Sequence, residues 1–257
     1  MQENLQYVLA AIVESSDDAI VSKTLDGIIT TWNKAAEQIF GYTAEEVIGK
    51  PISILIPVDR LNEEFTIIEK LKRGEKIDHY ETIRRRKDGE LINVSLTISL
   101  IKNGGQILGA SKIARDITQT KQLEREMAKL AAIVESAPDP IITQTLDGVI
   151  LSWNQGAEKL YGYSSKEVCG RHISMLFPDD YTSVVPKLLI PTARGESVND
   201  FETFTISKSN RIFQVSLAAF PIKGKSGEIL TSSLIVRDLT ERKGIERERT
   251  KILKSEQ

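Results

Sequence analysis

The sequence has little of the chemistry that disulfides, metal centres and many active sites need. Its 257 residues include one cysteine, Cys169, and two histidines, His79 and His172. A single cysteine excludes an internal disulfide and a cysteine metal cluster. The net charge is −2 and no long basic stripe occurs, which argues against direct binding to nucleic acid.

Membrane and secretion signals are also missing. No apolar run approaches the roughly 18 residues of a membrane span, and the N-terminal MQENLQYVLA lacks the basic and apolar regions of a signal peptide. We therefore predict no membrane segment and a cytoplasmic location, while a membrane-bound parent protein stays open. No Gly-rich phosphate loop occurs, and no nucleophile and base form a catalytic set, so we expect no enzymatic activity from these residues.

What the sequence does contain is one long repeat. Residues 9–57 return as residues 130–178, with 27 identities over 49 aligned positions and no gap. The offset of 121 residues continues through Tyr80-Glu81-Thr82 and Phe201-Glu202-Thr203, and becomes 122 before Asp116 and Asp238. A repeat of this length indicates two copies of a whole domain.

Each copy shows the same order of elements. An amphipathic helix is followed by two short β-rich runs around Leu-Asp-Gly, a hairpin signal. Short helices follow, with Asn33 as an N-cap and with Thr43-Glu46 or Ser164-Glu167 as capping boxes. A longer helix over 59–73 and three alternating strands complete the copy. This order predicts an α+β domain with a five-stranded antiparallel sheet and flanking helices.

Two helical segments need separate comment. In the second copy Pro186 and Pro191 interrupt the long helix, which we expect to be shorter, kinked or partly loop. Between the copies we predict one continuous helix over 118–136 with apolar residues at heptad spacing. This seam predicts a parallel homodimer and consists of Leu123, Met127, Leu130 and Val134.

The motifs LDGxIxxWN, AEQIFGYTAEEVIGK, YETIRRRKDG and GASKIARDIT, with their second-copy equivalents, resemble the PAS family with its PAC half (the S-box), a sensor module of bacterial and archaeal signalling proteins. The resemblance covers nearly all of both copies. It implies PAS domain 1 over 1–118 with its PAC half at about 77–118, a connecting helix over 119–136, PAS domain 2 over 137–240 with its PAC half at about 198–240, and an exit helix over 241–257.

The resemblance also implies function. Such domains enclose a cavity between the sheet and the long helix, and pass signals through flanking helices to an output domain, often a histidine kinase. We expect Asp116, Thr118, Asp238 and Thr240 to couple each sheet to its exit helix; that they only cap the helix is the alternative. The cavity candidates are apolar residues of the predicted helix and strands: Phe65, Ile68, Ile83, Val94, Leu96, Phe204, Val215 and Leu217.

The cofactor is not named by the sequence. Haem relatives carry a histidine on the long helix, and neither copy has one there. Flavin relatives that form a photoadduct carry a cysteine where this sequence has Ile52 and Ile173; Cys169 lies elsewhere, where a small buried thiol is the simplest interpretation. Haem and covalent-adduct flavin are therefore disfavoured, whereas non-covalent FAD or a small metabolite is compatible with an apolar cavity.

Several residues allow two interpretations. Trp32 and Trp153 fit the core better than cofactor stacking. The run Arg84 to Lys87 is either a solvated hairpin edge or an anion-binding surface.

The function of the chain also allows two interpretations. The leading interpretation is a tandem sensor that binds a small ligand or senses redox state and signals through coiled-coil helices to a two-component histidine kinase. The alternative is a ligand-free scaffold for dimerisation or docking.

Overall fold

A computed structural model describes residues 2–181 and 183–240, with side chains from residue 4 onward. The predicted exit helix over 241–257 lies outside these described residues. The chain divides into two compact units, and the division falls between Glu126 and Met127.

The first unit begins with a helix and holds one sheet. Its elements are α1 (Gln2–Glu14), β1 (Ala19–Lys23), β2 (Ile29–Trp32), α2 (Lys34–Phe40), α3 (Ala44–Val47), α4 (Leu61–Lys72), β3 (Ile77–Arg85), β4 (Leu91–Asn103) and β5 (Gln106–Asp116). The strands pair antiparallel in the order β2-β1-β5-β4-β3.

The helix α5 (Thr118–Ser136) follows without interruption, as predicted. The second unit then repeats the first with β6 (Ile141–Gln144), β7 (Ile150–Trp153), α6 (Gln155–Tyr161), α7 (Ser165–Val168), α8 (Val184–Ala193), β8 (Val198–Ile206), β9 (Ile212–Lys223) and β10 (Ile229–Asp238). Its strand order is β7-β6-β10-β9-β8. The prediction of two α+β units with five-stranded antiparallel sheets is confirmed.

Local sequence signals set the short helices. The Asn33 side chain accepts a hydrogen bond from the Ala36 amide at 3.0 Å and caps α2. Gly41 ends α2 with φ 77°, a left-handed conformation that glycine adopts without strain. Thr43 with Glu46, and Ser164 with Glu167, form the two predicted capping boxes. As expected, α8 is shorter than α4, at 10 residues against 12.

The inner face of α4 differs from the prediction. Phe65 is 72% exposed, and Ile68 is only half-buried, while Ile67 and Leu71 are buried against the sheet. Assigning Phe65 to the cavity was therefore wrong. Glu63 and Glu64, one turn before Ile67, lie on the same inner face. They pair there with buried cations of the sheet.

The inner faces of β3 and β8 also differ from the prediction, but for another reason. Pairing with the neighbouring strand is irregular between Ile77 and Tyr80 and between Val198 and Phe201. At these bulges His79 and Asp200 both have φ 50°. An extra residue in a strand reverses which alternate side chains face the core. Ile83 and Phe204 therefore lie on the opposite, half-buried face, and their assignment to the cavities was wrong.

Candidate functional site

Two lysines lie on the core face of the first sheet. Alternation along β1 turns Val21 and Lys23 to the same side, and alternation along β5 does so for Lys112 and Ala114. Lys23 is 1% exposed and Lys112 is 5% exposed. Lysine side chains this deep in a protein are rare unless they are paired.

Both lysines pair with one carboxylate of α4. Glu64 Oε2 accepts from Lys112 Nζ at 2.6 Å, and Glu64 Oε1 accepts from Lys23 Nζ. The neighbouring Glu63 accepts from Arg84 Nη1 at 2.9 Å. We call these five residues, Lys23, Glu63, Glu64, Arg84 and Lys112, the inner charge cluster. It connects α4 to three strands of the sheet.

Burial sets the protonation behaviour of this cluster. Loss of solvent lowers the pKa of Lys23 and of Lys112 to about 7, and a neighbouring cation adds to the effect on each lysine. Burial acts to raise the pKa of Glu63, but hydrogen bonds from Thr82, Arg84 and Arg60 outweigh it and lower that pKa. The carboxylate therefore stays ionised, whereas the lysines titrate near neutral pH.

A small cavity opens beside the cluster. Its volume is about 20 Å³, which is room for one or two water-sized groups. Arg84 is one of its lining residues. Its Nη1 donates to Glu63, Thr82 and the Ile83 carbonyl, while Nη2 is buried and has no hydrogen-bond partner among the described residues. The cavity is lined by Val21, Phe40, Ile52, Leu55, Arg84, Leu96, Lys112 and Ala114.

The second unit replaces the cluster with neutral residues. Repeat alignment and strand pairing place Gln144 at Lys23, Thr205 at Arg84 and Leu234 at Lys112. The two carboxylates become Val184 and Val185. All five replacements are buried. The fold therefore does not require these charges, and they belong to the first unit alone.

Sequence reasoning missed the inner charge cluster, although two signals pointed to it. Lys23 and Lys112 each continue an alternating apolar face, and each is neutral in the other copy. Arg84 is buried, so the solvated-edge interpretation of the basic run was wrong for that residue. Of the predicted cavity residues, four are buried on the inner faces: Val94, Leu96, Val215 and Leu217.

Two of the predicted coupling residues, Asp116 and Thr118, lie where α5 begins. Asp116 Oδ1 accepts from the Thr118 amide at 2.8 Å, and Asp116 Oδ2 accepts from Arg86 Nη2 at 2.9 Å. Thr118 Oγ1 accepts from the Asn93 amide of β4. The start of α5 is thus bonded to two residues of the sheet, Asp116 and Asn93. In the second unit Asp238 Oδ1 accepts from the Thr240 amide, and Ser207 stands where the first unit has Arg86.

The end of α5 is held by a buried asparagine. Asn154, 2% exposed, donates from Nδ2 to the carbonyls of Val134 and Asp139 at 3.0 and 3.1 Å. Its Oδ1 accepts from the Ile141 and Ala157 amides at 2.9 Å. Asn33 makes the equivalent bonds to Val13 at the end of α1. Sequence reasoning identified Asn33 only as a cap, because the helix it anchors lies 20 residues away.

The predicted seam of α5 faces solvent in the single chain. Leu123, Met127, Leu130 and Val134 are all exposed, and none of the α5 residues is buried. Near the start of the helix, Lys121 Nζ pairs with Glu81 Oε2 of β3 at 2.7 Å. The apolar stripe is therefore available for contact with another surface.

The remaining candidates are structural. Trp32 Nε1 donates to the Tyr42 carbonyl and Trp153 Nε1 donates to the Tyr163 carbonyl, both at 3.0 Å, with the indoles buried. Cys169 is exposed, so its interpretation as a buried thiol was wrong. Among the described residues no group of three or more His, Cys, Asp or Glu could hold a metal ion. No described helix combines the length and apolarity of a membrane span.

The buried lysines make a testable difference between the units. Their pKa of about 7 in the folded chain lies below the ordinary value of 10.5. Between these values the unfolded chain binds more protons, so the stability of the first unit should rise with pH from 7 to 9. Each unit has one tryptophan, so urea unfolding of Trp153→Phe reports the first unit and that of Trp32→Phe reports the second. Equal pH dependence of the two units would contradict the expectation.

Comparisons with known proteins agree with the two-unit architecture. The family model described as the PAS fold matches residues 8–117 and 128–239. Two-component system protein A of Emericella nidulans is 38% identical over 123 residues, which cover 47% of this chain and 18% of that protein. The signal transduction histidine-protein kinase AtoS of Escherichia coli is 33% identical over 119 residues, covering 46% and 19%.

Other similarities extend further along the chain or concern structures. Oxygen sensor protein DosP of Escherichia coli is 24% identical over 250 residues, which cover 93% of this chain and 29% of that protein. The chain thus spans less than a third of the length of these relatives. A PAS-domain crystal structure from Colwellia psychrerythraea matches 45% of this chain and 98% of its own, with 26% identity and a TM-score of 0.42. Because the family model matches most of the chain in two successive ranges, the chain belongs to the PAS family and carries two PAS domains in tandem.

Proposed function

We propose that this chain is the sensory part of a signalling protein. A PAS domain binds a small ligand or senses redox state, and the change passes through the connecting helix to an output domain or partner, a two-component histidine kinase in cis or in trans. The names of the relatives support this choice, since they include a two-component system protein and a histidine-protein kinase.

The observation that carries the proposal is that α5 is hydrogen-bonded to a PAS domain at each end. Asp116 and Thr118 bond its start to the first sheet, and Asn154 bonds its end to the second domain. Arg84 lies in β3, and Arg86 follows directly after that strand; Lys112 and Asp116 both lie in β5. The cavity and the junction are therefore connected through the same two segments. A change in the cavity therefore has a short covalent path to the helix.

We propose no catalytic role for this chain and neither haem nor a covalent flavin as its ligand. Ile52 and Ile173, at the positions where adduct-forming relatives carry cysteine, are buried. The described parts of the two long helices carry no histidine. A small metabolite remains the proposed ligand class, because such cavities bind ligands without reactive side chains. Non-covalent FAD would require the cavity of about 20 Å³ to open.

Filling the cavity tests the signalling path. Ala114 is buried, lines the cavity and lies two residues before Asp116. We expect Ala114→Leu to change hydrogen exchange of the first-turn amides of α5 by about 5-fold or more, the lower end of typical coupling between sites. Ala110→Leu is the matched control, because Ala110 is buried on the same face of β5 outside the cavity lining. Equal exchange in the two variants would refute the path.

The scaffold alternative has its own support. α1 exposes an apolar stripe that includes Leu5, Leu9 and Ile12, as α5 exposes its seam. Such unpartnered stripes are typical of interaction surfaces. Mass spectrometry of small molecules released from the denatured, purified chain separates the two interpretations. A compound present in stoichiometric amount supports the sensor, and the absence of any such compound supports the scaffold.

We also propose that the chain forms a parallel homodimer through α5. The four seam residues are 52%, 69%, 63% and 43% exposed in the order Leu123, Met127, Leu130 and Val134. Burying each contributes at most roughly 1.5–3 kcal/mol. Four such residues do not offset the entropy of association alone, so the apolar stripe of α1 is expected to take part.

Leu123→Glu should weaken this dimer. A carboxylate in the seam would have to be desolvated against its partner, so we expect a shift toward monomer in sedimentation equilibrium, with an unchanged β-sheet signal in circular dichroism. Gln122→Glu places the same charge off the seam and should leave the dimer intact. A wild-type chain that is monomeric at high micromolar concentration would refute the dimer.

A further inference from the structure

We infer that the cavity of PAS domain 1 is a binding site for a small, planar, singly charged oxyanion such as a short carboxylate or nitrate. The inference deepens the proposed sensor function and rests on it, because it names the ligand class and the domain that binds it. Four observations support it: an unpaired guanidinium nitrogen, an excess of buried positive charge, the size of the cavity, and the neutral counterpart in PAS domain 2.

The charges of the cluster do not balance. Lys23, Arg84 and Lys112 are three buried cations, and they face the two carboxylates of Glu63 and Glu64. The partly exposed Arg60 also pairs with Glu63. A buried charge without a counter-charge is unfavourable. Because burial lowers the pKa of Lys23 and of Lys112 to about 7, the excess of one positive charge among the three buried cations is present at pH 6, and a bound monoanion would neutralise it.

The geometry of Arg84 selects the shape of that anion. Three acceptors hold Nη1, so the plane of the guanidinium is set before any ligand arrives. Nη2 is buried, lacks a partner among the described residues and belongs to a side chain that lines the cavity. A guanidinium matches the planar oxygens of a carboxylate or nitrate better than it matches a spherical ion. Lys112, on the same cavity wall, supplies a second cation.

The cavity limits the size of the anion. A volume of about 20 Å³ is room for one or two water-sized groups, so formate is nearest to it in size and a dinucleotide is excluded without rearrangement. The walls away from the cations are apolar and include Val21, Leu55 and Leu96. Nitrate and acetate are larger than formate and require these side chains to move. Formate, nitrate and acetate share this chemistry.

The equivalent position in PAS domain 2 lacks the cations that would bind an anion. Thr205 and Leu234 replace the two cations, and Tyr161 and Val236 replace Phe40 and Ala114 with larger side chains. The Tyr161 hydroxyl donates to Thr205 Oγ1 at 3.2 Å. The second repeat therefore serves as a neutral control within the same chain.

The test uses Trp32 as a reporter of the cavity. Its ring centroid lies 5.5 Å from that of Phe40, which lines the cavity. At pH 6, where both lysines are protonated, the full chain carrying Trp153→Phe is titrated with sodium formate, acetate or nitrate at constant ionic strength, with sodium chloride as the balance. We expect a saturable fluorescence change with at least one oxyanion, none with neutral acetamide, and none from Trp153 in the Trp32→Phe chain. No saturation above the chloride background would mean that the cavity holds only water and would overturn the inference, as would an equal response to acetamide.

Two variants assign the binding residues. Lys112→Leu leaves two buried cations facing two carboxylates, and should weaken binding about tenfold or more because the excess charge is gone. The double change Arg84→Thr with Glu63→Val installs the residues of the second repeat and removes opposite charges together, with the same expected loss. Folding is checked by urea unfolding. Unchanged affinity in both folded variants would overturn the inference. If no anion binds but Ala114→Leu still alters exchange in α5, the sensor proposal stands and the ligand class alone is wrong.

Discussion

Glu64→Val is expected to destabilise PAS domain 1 by about 3–5 kcal/mol, because it leaves Lys23 and Lys112 buried without their shared carboxylate. The lysines can shed part of this cost by releasing protons, since burial has already lowered their pKa to about 7. The loss should therefore be larger at pH 6 than at pH 9. Urea unfolding followed by Trp32 fluorescence in the Trp153→Phe chain measures it.

The second repeat supplies the rescue. Adding Lys23→Gln and Lys112→Leu to Glu64→Val gives the first domain the residues of the second at three positions. Replacing a whole buried ionic group by neutral, well-packed residues is often neutral or stabilising. The triple variant should thus recover most of the lost free energy of unfolding. If Glu64→Val alone is as stable as the wild-type chain, the inner charge cluster is not the coupled unit described.

Asn154→Ala is expected to destabilise PAS domain 2 by about 3 kcal/mol and to loosen the end of α5. The side chain accepts hydrogen bonds from two backbone amides and donates hydrogen bonds to the carbonyls of Val134, Ala137 and Asp139. Alanine leaves several of these buried groups without a partner, at about 1–3 kcal/mol for each buried group. Trp153 fluorescence in the Trp32→Phe chain reports the stability, and hydrogen exchange reports the last turn of α5.

The matched control is Asn33→Ala, which removes the equivalent bonds in PAS domain 1. It should destabilise the first domain by a similar amount and leave Trp153 unfolding unchanged. A loss below about 1 kcal/mol for Asn154→Ala would show that water or neighbouring groups satisfy these backbone atoms. The asparagine would then not anchor the helix.

Local signals in the sequence were sufficient where the determining contacts are near in the chain. The Asn33 cap, both capping boxes and the continuous helix α5 depend on residues within a few turns of each other, and each is present in the structure. The strand alternation likewise predicted five antiparallel strands in each copy. These features follow from backbone geometry and short-range hydrogen bonds.

Contacts between distant elements decided the site. A bulge at His79 reversed the faces of β3, turned Ile83 outward and brought Arg84 inward, and periodicity alone carries no sign of it. Glu63 and Glu64 lie on the inner face of α4 because they pair with the buried cations of β1, β3 and β5, and Phe65 therefore faces solvent. The sequence alone was enough to establish two PAS domains, because each copy repeats the same local signals. Which copy holds a charged cavity depended on pairings across 20 to 50 residues, which only the tertiary structure brings together.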